Sequence, residues 1–485
     1  MGSRHHVVAM DALSVAARDH LHEQALTLLS ETGMQVEHEE ARRELDAAGA
    51  TVAGEVVTLP PALVETAITD APASFHWAAR DPEKSVTVGE GDPVVTPIRG
   101  PRYVKRPGEE RHRATMADFE RLVALAHAEP TVDVVGYDLC SPEGYSLVGN
   151  PGGFDQVDPG HELLERLFTG TDKPILATAR SGPEAAASLE MARIAFDDPD
   201  LAAHSVLGIL HVRSPRVLNE PMVSGLLAFA RAGQPLVIAS GAIPGASAPR
   251  SLAEAAVLTV AESLFGLTLA QVVNPGTPVV FGRSGSLYDW QVGAVAAGSQ
   301  HGAGLQAVTV DMADFYDLPV RGHGGVTDAK RIDHQSGAES AANLDRALRS
   351  GADLLVCAVG GLDTHGVTSP EKLVLDAARI RGVQAAGREA AALRSTLESD
   401  VSLATIRAGD PGEAFVDDRD PESLADAPRF GLDLAVRGSH EDWVENGSPS
   451  ITDLATARVE ERLTASEQPP IDPAVETRLE RAGSD

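Results

Sequence analysis

Cysteine is nearly absent. Only Cys140 and Cys357 occur, both inside apolar runs, and no CxxC pair exists. This excludes a disulfide framework and a cysteine-held zinc site. Lysine is scarce as well: Lys84, Lys105, Lys173, Lys330 and Lys372 are the whole set. Phosphate contact needs clustered Lys and Arg, so a nucleic-acid partner is not expected. No apolar run approaches the length of a membrane span. The opening MGSRHHVVAMDALS has no apolar signal core. A soluble cytoplasmic protein without a membrane contact is the expectation. HExxH, GxSxG and Walker motifs are missing. His211–Val212–Arg213 and Thr364–His365–Gly366 lack the companions of a zinc site, so no bound metal is expected.

Acidic residues are abundant. Asp and Glu number 71 against 40 Lys and Arg, a formal charge of −31. Spread along a well-patterned globular sequence, that excess points to a high-salt protein, because salt screens the repulsion. Hydrophobic residues form 43 % of 485, enough for a large core. One α/β barrel with added elements is compatible with this length.

Residues 1–90 read as a helical, α+β extension. Leu21, Ala25, Leu28 and Leu29 recur at helical spacing before Gly33, and a second helix ends at Gly49. Phe75 to Ala79 and Ser85 to Val88 look like hairpin strands. This unit is a cap or assembly element. After Gly89, eight short apolar runs alternate with helix-length segments. The runs are Val94–Ile98, Val132–Leu139, Pro174–Thr178, Ser205–Leu210, Pro235–Ser240, Pro278–Gly282, Pro319–Gly322 and Asp353–Val359. The expected helices include Val217–Ala232, Leu252–Gln271 and a long Trp290–Phe315. Eight strands with right-handed crossovers predict a (β/α)₈ TIM barrel over 91–400. An open doubly wound sheet is the rival. Residues 401–485 form an acidic carboxyl-terminal extension, and Phe430, Trp443 and Leu454 suggest that it folds back on the barrel. The loop Ser141–Gly160, rich in Gly and Pro, is a candidate lid.

In a barrel, strand ends present side chains to one shared mouth. Reading those ends gives Arg99, Tyr103, Tyr137, Asp138, Thr178, Arg180, His211, Arg213, Ser240, Arg283, Ser284, His323, Asp363 and His365. Gly322, Gly324 and Gly325 either permit close backbone approach by something large and flat or release the strand. Gly360–Gly361 either helps bind a phosphate or makes a turn, and the turn is favoured. Asp328 and Lys330 are read as a local ion pair.

Two loops stand out, in LPVRGHGGVTDAKRIDHQSGAES and GADLLVCAVGGLDTHGVTSPEKLVLD. With them go LHEQALTLLSETGMQVEHEEARRELDAAGATVAGEVVTLPPALVETAITDAP, RGPRYVKRPGEERHRATMADFERL and HEDWVENGSPSITDLATARVEERL. Together, in order, these motifs resemble the trimethylamine methyltransferase-like family over most of the chain. The resemblance implies a TIM barrel and transfer of a methyl group from a methylated amine to the cobalt of a separate, small cobalamin-binding corrinoid protein. It implies no permanently bound cofactor, and a homo-oligomer is expected. Archetypal members contain pyrrolysine and demethylate trimethylamine. This chain has ordinary residues where pyrrolysine would fall, near Gly322–Thr327. That favours the branch acting on quaternary amines such as glycine betaine. A quaternary ammonium leaves as a neutral amine, whereas a tertiary amine must first be protonated or form an adduct. Trimethylamine transfer and non-catalytic binding of quaternary ammonium solutes remain alternatives.

On this reading Tyr103, Tyr137 and Tyr288 are candidates for a cation cage. Arg283, His323 and His365 are candidates for a carboxylate anchor. Asp328 and Gln335 could orient water or the methyl group, and His323, Asp328 and Gln335 are the catalytic candidates.

Overall fold

The computed structural model describes residues 13–145, 160–299, 301–399, 401–412 and 434–484. Eight buried parallel strands organise it. They are β1 (Val94–Pro97), β2 (Val135–Gly136), β3 (Ile175–Leu176), β4 (Val206–Val212), β5 (Leu236–Ser240), β6 (Val279–Arg283), β7 (Arg321–His323) and β8 (Leu354–Val359). A helix follows each: α1 (Met116–Ala128), α2 (His161–Gly170), α3 (Gly182–Ala195), α4 (Glu220–Arg231), α5 (Leu252–Val273), α6 (Ala303–Phe315), α7 (His334–Arg349) and α8 (Pro370–Glu398). Side-chain caps fix several starts: Thr115, Ser181, Ser251, Asp333 and Ser369 each accept a first-turn N–H.

The strands lie in two parallel sheets, ordered β6-β5-β4-β3-β2 and β7-β8-β1. Hydrogen bonds link the sheets at both junctions. The Phe281 N–H donates to Pro319 O at 2.7 Å, and Asp133 N–H to Val95 O at 3.0 Å. Every strand but β7, or for β2 the residue just before it, contributes to a single apolar cluster, with Val94, Val134, Leu176, Leu207, Val237, Val280 and Leu354 among its members. In β7 the residue paired with Leu354 is instead Arg321. Gly282 makes room for it: a Cβ there would lie 2.1 Å from Arg321 Cγ. A mixed α/β architecture follows from the alternation of elements.

The amino-terminal unit is built into this body. The hairpin Phe75–Trp77 and Val86–Val88 lies across the amino ends of the strands, where Ala78 N–H donates to His204 O at 2.9 Å. Its Phe75, Trp77 and Val88 join the same apolar cluster and floor it. Met34–Val36 pairs in parallel with Val217–Leu218, so that part of the expected Val217–Ala232 helix is strand. The helices Val15–Glu31 and Pro61–Asp70 pack on α5. This explains α5, which is apolar all round. By length and composition it could cross a membrane, yet it is buried between strands and the amino-terminal helices.

At the other end, Ile451–Ala465 packs on α1 and α8, and Pro473–Ser484 on α2 and α3. Leu454 packs against the core and Trp443 donates to Pro449 O; Phe430 lies outside the described residues. So does the central part of the candidate lid, 146–159. The expected helix Trp290–Phe315 is a correction. Leu287–Asp289 and Ala294–Ala296 form a hairpin, and the helix starts only at Ala303, after Gly302 in a left-handed conformation.

Candidate functional site

Charged and imidazole side chains gather at the carboxyl ends of the strands. Arg99 forks onto Asp138, with Nε to Oδ1 at 3.1 Å and Nη2 to Oδ2 at 2.9 Å. Arg180 forks onto Glu184 at 3.0 and 2.9 Å, and Thr178 Oγ1 donates to the same carboxylate at 2.5 Å. These two guanidiniums are neutralised in place.

Two others are not. Arg283 and Arg321 are 5 % and 2 % exposed, and neither has an ion-pair partner among the described residues. Nε and Nη2 of Arg283 and Nε of Arg321 are buried without a hydrogen bond. Burial pushes both guanidiniums down to about 10, so they stay charged at neutral pH. The imidazoles around them behave oppositely. Burial, then the Arg321 charge, pushes His211 down to about 3 and His365 to about 4. The same causes hold His323 well below its ordinary value. Arg321 Nη1 approaches His211 Nε2, and Arg321 Nη2 approaches His323 Nε2, each at 3.5 Å. The His323 and His365 rings lie 6.2 Å apart. The centre thus holds neutral imidazoles around uncompensated positive charge.

The loops after β7 and β8 are tied together. Asp363 N–H donates to Ala329 O at 2.9 Å, and Thr364 N–H to Thr327 O at 3.0 Å. Asp363, Thr364 and His365 all adopt left-handed φ, at 52°, 51° and 70°. Three such non-glycine residues in a row cost free energy and hold His365 in one pose. Lys330 Nζ donates to the Asp328 carbonyl at 2.8 Å but forms no ion pair with the Asp328 carboxylate. That carboxylate accepts from Ala297 N–H at 3.1 Å, Gly298 N–H at 3.0 Å and Thr364 Oγ1 at 2.5 Å. Lys330 pairs instead with Asp363 at 2.6 Å. Glu339 completes the network, accepting from Thr327 Oγ1 at 2.6 Å and Asp328 N–H at 2.8 Å. Gln335 is exposed on the first turn of α7 and donates to Glu339 at 2.9 Å. Gly324 and Gly325 face the backbone of Ala358, so protein fills the space their missing side chains leave. Gly360, at φ 88°, makes a turn.

The three tyrosines stand apart. Tyr103 already carries Arg111 over its ring at 4.4 Å, and Tyr137 carries Arg180 at 5.6 Å. Tyr288 lies on the hairpin after β6, its ring 4.8 Å from Trp290. Among the described residues no three His, Cys, Asp or Glu converge as a metal site. Strand-end reading found Arg283, His323 and His365 but missed Arg321. Its signal was a charge inside the apolar run LPVRGH.

An open cleft reaches the cluster at Arg283 and His323, passing between the hairpin Leu287–Ala296, α6 and α7. A second cleft, between α7 and α8, does not touch it.

Comparison with known proteins places this arrangement. A glycine betaine methyltransferase from Desulfitobacterium hafniense is 28 % identical over 95 % of this chain and 94 % of its own length. An L-carnitine:corrinoid methyltransferase from Eubacterium limosum is 25 % identical over 93 % of this chain and 92 % of its own. In fold, the Methanosarcina barkeri monomethylamine methyltransferase matches 95 % of this chain and 90 % of its own, with a TM-score of 0.54 at 12 % identity. The family model for trimethylamine methyltransferase (MTTB) matches residues 2–482. With that match spanning nearly the whole sequence, the chain belongs to the trimethylamine methyltransferase (MTTB) family.

Proposed function

We propose that this protein transfers a methyl group from a betaine-type quaternary amine to the Co(I) of a separate corrinoid protein. The methyl carbon forms its new bond to the acceptor. The C–N pair stays on nitrogen, which leaves as a neutral amine. One observation carries the choice of a quaternary donor: His211 and His323 sit 3.5 Å from the buried Arg321 guanidinium, and burial and that charge disfavour a proton on either ring and on His365. None of them can keep a proton on a leaving tertiary amine, and a quaternary nitrogen needs none. Rate then rests on positioning donor and acceptor in line. The names of the betaine and carnitine relatives agree with this donor class.

In this reading the eight strands close into a (β/α)₈ barrel, supported by the hydrogen bonds at both junctions between the sheets. Its mouth lies at the carboxyl ends, with 91–400 as the catalytic body and 401–485 as an outer brace. The enzyme works in the cytoplasm and takes its corrinoid from the partner. His323 lines the donor pocket, and His365 stands beside it with its ring 6.2 Å from that of His323. Asp328 is a positioning residue that holds the loops after β6, β7 and β8 together. Gln335, exposed on the first turn of α7, acts through Glu339, to which it donates.

Mixing the enzyme, a reduced corrinoid protein and glycine betaine should convert the Co(I) spectrum to that of the methylated corrinoid. Trimethylamine run beside it should give none. A spectrum that stays Co(I) with every methylated amine would defeat the proposal. Heat of betaine binding without any turnover would favour a non-catalytic binder instead.

A further inference from the structure

We infer that Arg283 and His323 form a carboxylate-binding subsite that makes the enzyme selective for zwitterionic donors over simple ammonium cations. The inference rests on the donor reading above and narrows it. Arg283 ends β6, His323 ends β7, and both line one cleft. Arg283 brings two buried N–H donors, on Nε and Nη2, that meet no acceptor among the described residues. His323 brings a third. A guanidinium can only donate, so the approach of Arg321 Nη2 makes His323 Nε2 the acceptor. The proton of the neutral ring then sits on Nδ1, and Nδ1 is likewise buried without a partner. Three convergent donors without an acceptor describe a site for an anion with two acceptor oxygens.

The lining strengthens this. The chain has 71 Asp and Glu, yet none is among the described residues that line the cleft. Arg283, Arg346, His301 and His323 line it instead. Arg321, behind His323, adds a second uncompensated charge. Such a pocket repels a bare cation. A betaine overcomes this because its carboxylate meets Arg283 and offsets the repulsion on its own ammonium.

Calorimetric titration of the full chain with glycine betaine, choline and tetramethylammonium tests this. Choline is the same cation with its carboxylate replaced by a hydroxymethyl group. Glycine betaine should bind at least about tenfold more tightly than either. Arg283→Met should weaken glycine betaine by roughly a hundredfold while leaving tetramethylammonium equal or improved, and Arg283→Lys should keep part of the preference. A merely structural arginine would not invert the ranking of the two ligands. Equal binding of glycine betaine and choline to the unaltered protein overturns the subsite even if the variants fail to fold. So does unchanged betaine binding in Arg283→Met, or no betaine binding at all. Should betaine bind in an Arg283-dependent way while no amine yields methylated corrinoid, the methyl-transfer reading falls and the subsite stands.

Discussion

Asp328 and Arg283 lie close to neighbouring strand ends, yet the fold treats their charges in opposite ways. Asp328 accepts two backbone N–H groups and a hydroxyl, and it joins three loops. Among the described residues, Arg283 has no acceptor for two of its nitrogens. The lesson is that a satisfied buried charge specifies structure, whereas an unsatisfied one waits for a ligand. Leaving a buried donor unpaired costs free energy comparable to a lost hydrogen bond. A chain that tolerates it at the end of a strand does so for what binds there.

Lys372 offers the harshest test of that distinction. It is as buried as Arg283 but bonds both oxygens of Asp376 at 2.5 Å and Ser340 Oγ at 2.8 Å. Lys372→Met should destabilise by about 3–5 kcal/mol in denaturant titration, because it strands the Asp376 carboxylate. Adding Asp376→Leu should restore most of the loss. Asp328→Ala should cost about 2–3 kcal/mol, since Ala297 N–H, Gly298 N–H and the Thr364 hydroxyl lose their acceptor. Its activity loss should come with faster proteolysis of the loops after β6 and β8. Arg283→Met should go the other way, neutral or stabilising by about 1 kcal/mol in the same titration, while betaine affinity collapses. A large destabilisation there would erase the contrast.

The smallest effect is on pH dependence. His211 and His365 titrate well below 6.5 in the fold, driven by burial and then by the Arg321 charge. Between pH 6.5 and 4 the unfolded chain takes up protons that the folded one refuses. Stability must therefore fall as pH falls through that window. Each ring should contribute about 1 kcal/mol by pH 5, less than full burial would give, because both keep partial solvent access. Denaturant midpoints at pH 7 and pH 5 should lie closer together in His365→Asn than in the parent.

Much of this was legible in the sequence. The eight strands announced themselves because buried parallel strands are continuous apolar runs. Arg283, His323 and His365 followed from strand-end position alone. The hairpin after β6 did not, because AVAAGSQHGAGLQAV carries good helix formers. What ends it as a hairpin is Asp328, about thirty residues later, accepting from Ala297 and Gly298. Arg321 was hidden for a similar reason: its path depends on Gly282 in another strand. The sequence also could not show that Arg111 and Arg180 lie over the Tyr103 and Tyr137 rings, a pairing that only the folded chain reveals.

Helix α5 has a consequence for how the polypeptide is made. Its cover, Val15–Glu31 and Pro61–Asp70, leaves the ribosome before it and must wait for roughly 200 further residues before α5 emerges. Contacts so distant in sequence form slowly. During that delay two sticky surfaces are bare at once, so chaperone demand should be highest midway through synthesis. A truncated version lacking the first seventy residues should come out of the cell in inclusion bodies, whatever the state of its pocket.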